Sequence, residues 1–231
     1  MKPYADPRLL DRCATLVEAA GPAAGEERGR RRILGISGAP GAGKTTIVLA
    51  VLAAAEVDPR LAGRIAHIPM DGYHLPNAEL DRLGRRDRKG APDTFDVDAY
   101  AATLATARAV PRAGLWAPSF DHHVGEPAPD TIEVPEDADL VLTEGNYLLL
   151  PDGGWPTVRA QLDEVWFCDL GDEQRRSRLI DRHVLTGRAA DEAAAWVDRS
   201  DEANARLVTT GRHEADVVVV DGRVFEGSAT P

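Results

Sequence analysis

The chain alternates short, continuous apolar runs with stretches of helical periodicity. The runs are "RILGIS" (32–37), "RIAHIP" (64–69), "DLVLTEG" (139–145), "EVWFCDL" (164–170) and "DVVVVDG" (216–222). Continuous rather than alternating apolar character marks strands buried on both faces of a parallel sheet. Between the runs, the periodicity predicts helices near 44–55, 97–109, 172–186 and 191–208. Ahead of them, Leu9, Leu10, Cys13, Leu16, Val17 and Ala20 recur at helical spacing and predict a packing helix. The segment "GPAAGEERGRRR" (21–32) reads as a linker and the last residues, "EGSATP", as a frayed tail. Strands alternating with helices predict an α/β fold.

The length of 231 residues allows one or two domains. The pattern reads as one compact domain with a helical excursion. A net charge of −11 argues against a nucleic-acid binder that depends on a broad basic surface, and leaves room for a small anion in a local basic pocket. Cys13 and Cys168 form neither a metal spacing nor a disulfide framework, and Cys168 sits in an apolar run. No apolar run reaches the length of a membrane span. The first residues lack the apolar core of a signal peptide. The expected setting is the reducing cytoplasm, without a membrane.

The strongest motif is "GAPGAGKT", Gly38 to Thr45, between a predicted strand and a predicted helix. It matches the phosphate-binding loop G-x-x-x-x-G-K-[ST]. Gly38, Ala39, Pro40, Gly41, Ala42 and Gly43 would bring backbone N–H groups close to phosphate oxygens. The helix that begins at Lys44, Thr45 and Thr46 offers unsatisfied N–H groups and a positive dipole end. Lys44 adds a cation for the β and γ phosphates, and the Thr45 hydroxyl suits Mg²⁺. The expected ligands are therefore ATP and Mg²⁺. Such a loop binds a nucleoside triphosphate without fixing its fate.

Three acids stand at predicted strand ends, Asp71, Glu144 and Asp169, where ligands gather in open α/β sheets. Glu144 holds the position of a second acid near Mg²⁺. Asp71, in "PMDGYH", is the candidate base for an acceptor hydroxyl. Glycine follows both Asp71 and Glu144, which permits close approach of a ligand. An Asp-Gly turn explains Asp71 alone equally well.

Taken together, "PMDGYHLPNAEL", "RKGAPDTFD" and "EGNYLLL" after the phosphate loop resemble the uridine kinase, phosphoribulokinase and type I pantothenate kinase group of P-loop kinases. The bacterial nucleoside/nucleotide kinase branch, similar to fructose-transport-system kinases, is the nearest pattern. The resemblance covers about residues 33–220, with four motifs in order. It implies a P-loop three-layer sandwich with a mostly parallel five-stranded sheet and a helical lid. It also implies one kinase domain over 1–231, with an N-terminal helix and linker at 1–32, an acceptor-binding excursion at 70–130 and a lid at 171–190. By that likeness Asp71 resembles the catalytic base and Glu144 the Mg²⁺-associated acid.

The acceptor would be a small metabolite with a hydroxyl: nucleoside-like, sugar-like or pantothenate-like. Candidates to touch it are Tyr73, His74, Arg85, Lys89, Phe120, Asp121, His122, Glu126, Asn146 and Tyr147. An aromatic beside a few polar groups suits such a ligand. Adjacent histidines at 122 and 123 point in different directions, which argues against zinc. In "PSFDHH", Phe120 stands where uridine kinases carry tyrosine, so neither uridine nor pantothenate is matched fully. In "GDEQRRSRLIDRHVLTGR" (171–188), Arg175, Arg178 and Arg182 share a helical face with Ile180 and Val184 roughly opposite. That reads as a phosphate clamp. Arg178 and Arg182 are assigned to the transferring phosphoryl, and Arg178 and Arg188 to ATP. Asn204 is the polar exception on the apolar face of the next helix.

The reading is an ATP-dependent small-molecule kinase, and a homodimer is compatible with it. The alternative is a nucleotide-hydrolysing switch or regulatory binder without an acceptor. Against it, no Asn-Lys-x-Asp base-reading motif is present.

Overall fold

The structure, a computed structural model, describes residues 5–21 and 29–225. The middle of the predicted linker, 22–28, and the predicted tail, 226–231, lie outside the described residues. Each of the five apolar runs forms a strand within two residues of its predicted bounds: β1 (Arg32–Gly38), β2 (Ile65–Pro69), β5 (Leu140–Gly145), β6 (Glu164–Asp169) and β7 (Val217–Val220). Two further strands, β3 (Leu115–Asp121) and β4 (Glu126–Val134), pair only with each other. A last short strand is β8 (Arg223–Val224). The central sheet runs β2-β5-β1-β6-β7-β8. Its first five strands are parallel. The expected five-stranded sheet thus gains a sixth, antiparallel strand, β8, closed by Asp221 and Gly222 at φ 47° and 78°. An Asp-Gly pair with both φ positive is a favoured two-residue hairpin turn.

Side-chain alternation along these strands explains the unbroken apolar runs. Leu34, Ile36, Leu140, Leu142 and Trp166 face one core with helices α1 (Pro7–Ala19) and α2 (Lys44–Ala55). Ile33, Val141, Val165 and Phe167 face the other, with α4 (Val97–Arg108) and α5 (Trp155–Arg159). Asp96 caps α4 by accepting from the Ala99 N–H at 2.9 Å. A short helix, α3 (Asn77–Arg82), follows β2. Among the described residues, no helix is long and apolar enough to cross a membrane. Both cysteines are buried and unpaired.

The amino edge of the sheet is sewn by arginines. Arg31 is fully buried and donates to the carbonyls of Ala107, Ala113, Pro135 and Ala138 at 2.8–3.1 Å. One guanidinium thus ties the start of β1 to the end of α4 and to both ends of the β3–β4 hairpin. Beside it, Arg112 pairs with Asp139 at 2.6 Å, and Arg64 takes the other oxygen of Asp139 at 2.6 Å. Asp163 collects Arg30, Arg32 and Arg108 and accepts from the Ile33 N–H. The basic end of the predicted linker is therefore a structural clamp.

The predicted helix at 191–208 is interrupted. α7 (Ala190–Trp196) passes through a π turn at Val197–Asp201 into α8 (Glu202–Thr209). The wider turn shifts the buried face: Val208 is buried, and its neighbour Leu207 is 39% exposed. A π turn inside a helix often marks a functional position, and Ser200, Asp201 and Asn204 line the cleft described next.

Candidate active site

The carboxyl edge of the sheet opens into a cleft of about 860 Å³. The loop after β1 and the first turn of α2 form its floor. Gly41 (φ +79°) and Gly43 (φ +92°) adopt the left-handed backbone that glycine tolerates. Lys44 is buried; its Nζ donates to the carbonyls of Gly38 (2.9 Å) and Ala39 (3.2 Å) and to Asn146 Oδ1 (2.5 Å). Burial pulls the Lys44 ammonium below its ordinary pKa, and the nearby Glu144 opposes that shift. Asn146, expected beside the acceptor, lines the cleft and is also a partner of the phosphate-loop lysine.

Glu144 ends β5 between the ends of β1 and β2, paired in register with Ile36 and Pro69. It accepts from the Thr45 hydroxyl at 3.2 Å. Burial pushes its carboxyl up to about 7, and the nearby Asp71 adds to the rise. Asp71 lies in a 3₁₀ turn, Met70–Tyr73, just past β2, and lines the same cleft. The third acid does not join them: Asp169 pairs with Arg212 at 2.9 Å. Of the glycines after the two acids, Gly145 lines the cleft and Gly72 does not, and neither position has room for a side chain. A methyl group on Gly72 would lie 2.2 Å from the Pro118 carbonyl oxygen, and one on Gly145 would lie 2.4 Å from the Met70 sulfur.

The 3₁₀ turn separates Tyr73 from His74. Tyr73 is buried and packs on Tyr100 with ring centres 4.8 Å apart, away from the cleft. His74 faces the cleft, its ring packed at a tilt between those of Phe95 (centres 4.1 Å apart) and Phe120 (4.6 Å). Its Nδ1 meets the Asp71 carbonyl oxygen at 2.8 Å. A carbonyl only accepts, so Nδ1 carries the proton and Nε2 remains an acceptor in the neutral ring. Burial lowers the His74 pKa and favours that neutral form.

Of the other acceptor candidates, Lys89, Phe120 and His122 line the cleft. Four do not. Arg85 turns back to Asp93 (3.4 Å). Asp121 accepts from the His123 and Val124 N–H groups and shapes the hairpin turn. Glu126 accepts from the Asn77 N–H at 3.1 Å, anchoring the hairpin to α3. Tyr147 is fully buried against Phe95 and Trp155, and its hydroxyl donates to the Gly90 carbonyl. The physical reason is common to all four: closeness to a motif along the chain does not give side-chain direction.

The far wall comes from α6 (Asp172–Leu185) and the π turn. Arg182 and Arg188 line the cleft, as do His183, Thr186 and Trp196. Arg188 lies 4.1 Å over the Trp196 ring, and His183 Nε2 stands 3.0 Å from Asp201 Oδ2. Arg178 is half-exposed outside the lining, 4.0 Å from Asp221. Arg175 departs from the expected phosphate clamp. It is buried, pairs with Glu202 at 2.6 Å and packs with Leu179 on Gly41. The apolar back of the expected clamp is also absent: Val184 is 41% exposed, while the buried face of α6 is Arg175 and Leu179. Sequence reasoning assigns no role to Asn77, Phe95, Trp196 or Asp201, all of which line the cleft. Phe95 carries a signal, since it lies within "RKGAPDTFD".

No protein-family profile matches the chain. A Schizosaccharomyces pombe protein provisionally named uridine kinase C227.14 is 33% identical over 196 residues, covering 82% of this chain and 83% of that protein. A Lacticaseibacillus casei pantothenate kinase is 34% identical over 121 residues, covering 52% of this chain and 38% of that kinase. A crystal structure from Silicibacter sp. TM1040, provisionally described as a fructose transport system kinase, aligns with a TM-score of 0.73 at 30% identity. The alignment covers 90% of this chain and 98% of that one.

Proposed function

The chain belongs to the P-loop kinases of the uridine kinase, phosphoribulokinase and pantothenate kinase group and is an ATP-dependent phosphotransferase; from that premise we propose that it moves the γ-phosphate of ATP to a hydroxyl of a small metabolite, with Asp71 as the base. One observation carries the assignment. Asp71 and Glu144 share a single cleft with Lys44 and Thr45, and Asp71 is near enough to raise the Glu144 pKa. Aligned parallel strands β2 and β5 bring both acids to the edge that holds the phosphate loop.

In the reaction, the acceptor oxygen forms a bond to the γ-phosphorus. The bond from that phosphorus to the β,γ-bridging oxygen breaks, and ADP leaves. Asp71 orients the hydroxyl and takes its proton. Lys44, already held by two carbonyls and Asn146, stands ready to neutralise phosphate charge without reorganisation. Arg182 and Arg188 supply further positive charge from the opposite wall. The Thr45 hydroxyl and Glu144 carboxylate are hard oxygen donors that fit Mg²⁺, which would neutralise charge on the phosphates. His74, Phe95 and Phe120 form an aromatic wall for the acceptor's carbon skeleton.

The test is Asp71→Asn, assayed by acceptor-dependent ADP release and by calorimetric ATP binding. Turnover is expected to fall by about 10²–10⁴-fold, with ATP affinity retained. Near-normal turnover sinks the assignment, and ATP hydrolysis at one rate whatever metabolite is offered favours the switch alternative.

A further inference from the structure

Lys89 presents to the cleft a cation that no carboxylate neutralises at contact. Its Nζ donates to Asn77 Oδ1 and to the Gly125 carbonyl, both at 2.6 Å, and stands 5.2 Å from the centre of the Phe120 ring. Those two neutral acceptors occupy two of its three hydrogens. Among the described residues, no acid lies within ion-pair distance of it, although it feels the field of Glu126. The Glu126 carboxylate is engaged with the Asn77 N–H. Burial already holds the Lys89 pKa below the ordinary ammonium value, so the charge has lost part of its hydration without gaining a counter-ion. Arg86 adds a second cation to the same wall and touches an acid only at 3.9 Å, Asp81 outside the cleft. Between residues 74 and 125 the lining contains no Asp or Glu. In a protein with a net charge of −11, that is a local reversal of sign. A partly desolvated ammonium held by neutral oxygens is best satisfied by an anion.

We propose that the acceptor is a hydroxy compound bearing an anionic group, a carboxylate or a phosphate ester, and that Lys89 binds that group while Asp71 addresses the hydroxyl. This inference rests on the kinase reading above and narrows its acceptor. It disfavours uncharged nucleosides and free sugars.

Matched pairs test it: small hydroxy acids against their amides, and sugar monophosphates against the free sugars, with uridine as a neutral nucleoside. ADP release is measured for the wild type, Lys89→Met and Lys89→Arg at fixed salt. One anionic class is expected to show kcat/KM roughly ten- to a hundredfold above its neutral partner. Which pair responds separates carboxylate from phosphate. Lys89→Met removes the preference chiefly through the acceptor KM, Lys89→Arg restores part of it, and the KM for ATP stays the same in all three. A neutral acceptor used as well as its charged partner, or a preference that survives Lys89→Met, overturns the proposal and leaves the kinase reading standing. Binding gives a second readout. With a non-hydrolysable ATP analogue and Mg²⁺ present, a panel anion should raise the melting temperature of the wild type but not of Lys89→Met. Equal shifts in both proteins, or none in either, also overturn the proposal. Failure of the kinase reading looks different: the wild type would hydrolyse ATP at one rate whatever metabolite is offered, charged or neutral.

Discussion

At the amino edge of the sheet, Arg31, Arg112, Asp139 and Asp163 are closed into networks in which carbonyls and opposite charges meet each buried charged side chain. At the carboxyl edge, Lys44, Glu144 and Asp71 face an open cleft, and Glu144 has one hydroxyl as its hydrogen-bond donor. The same sheet supports both ends. The amino edge holds the hairpin and the helix ends in place, so its charges are satisfied within the fold. The carboxyl edge keeps charges whose best partners are ligands, at the expense of stability in the free protein. Buried pairs tolerate no loss of one partner, whereas groups held for a ligand can be relieved by neutralisation.

That contrast predicts opposite responses to substitution. The largest effect belongs to the amino edge. Asp139→Ala leaves Arg112 buried without its carboxylate and should lower stability by about 3–5 kcal/mol, read from urea unfolding, with turnover per folded molecule unchanged. If activity falls before stability does, the two edges are coupled more tightly than the contacts imply.

Gly41→Ala probes the joint between the phosphate loop and α6. The new methyl would combine a φ of +79° with a 2.8 Å approach to Leu179 Cγ. It should destabilise the protein by about 1–3 kcal/mol and raise the KM for ATP. A variant with both unchanged would show that α6 does not rest on the loop in solution.

The smallest effect sharpens the comparison at the carboxyl edge. Glu144 is raised from 4.5 to about 7, first by burial and then by Asp71. Its native form therefore binds a proton more tightly than its unfolded form. The stabilising contribution is complete below about 4.5, declines as pH rises through 7, and is gone above that. Glu144→Gln should flatten this slope in a pH series of ligand-free melting curves while losing Mg²⁺-dependent turnover. A slope of the opposite sign in the wild type would contradict the placement of Glu144.

Much of this fold is legible in the sequence. The five parallel strands and the phosphate loop follow from local pattern, because period and glycine spacing are short-range properties. The β3–β4 hairpin is not legible as strands. Pro118, Pro127 and Pro129 interrupt its ladder, and proline belongs at edges and irregularities. The hairpin accommodates them as an isolated pair with a register shift between Ala117 and Ser119. Arg175 shows the limit of helical periodicity. Spacing identifies which residues share a face of α6, but not which face meets the protein, and the arginine lies inward against Glu202.

The sequence by itself determined that a phosphate loop sits between a buried strand and a helix, with acids at the ends of three other strands. Those facts depend on residues close together in the chain. Only the tertiary structure decided which side chains share the cleft. A single 3₁₀ turn sends Tyr73 into the core and His74 to the opening. The tip of the β3–β4 hairpin, 36 residues along the chain from Lys89, supplies the carbonyl that holds it in the wall. Side-chain direction at such places is set by packing against distant segments, and no local pattern encodes it.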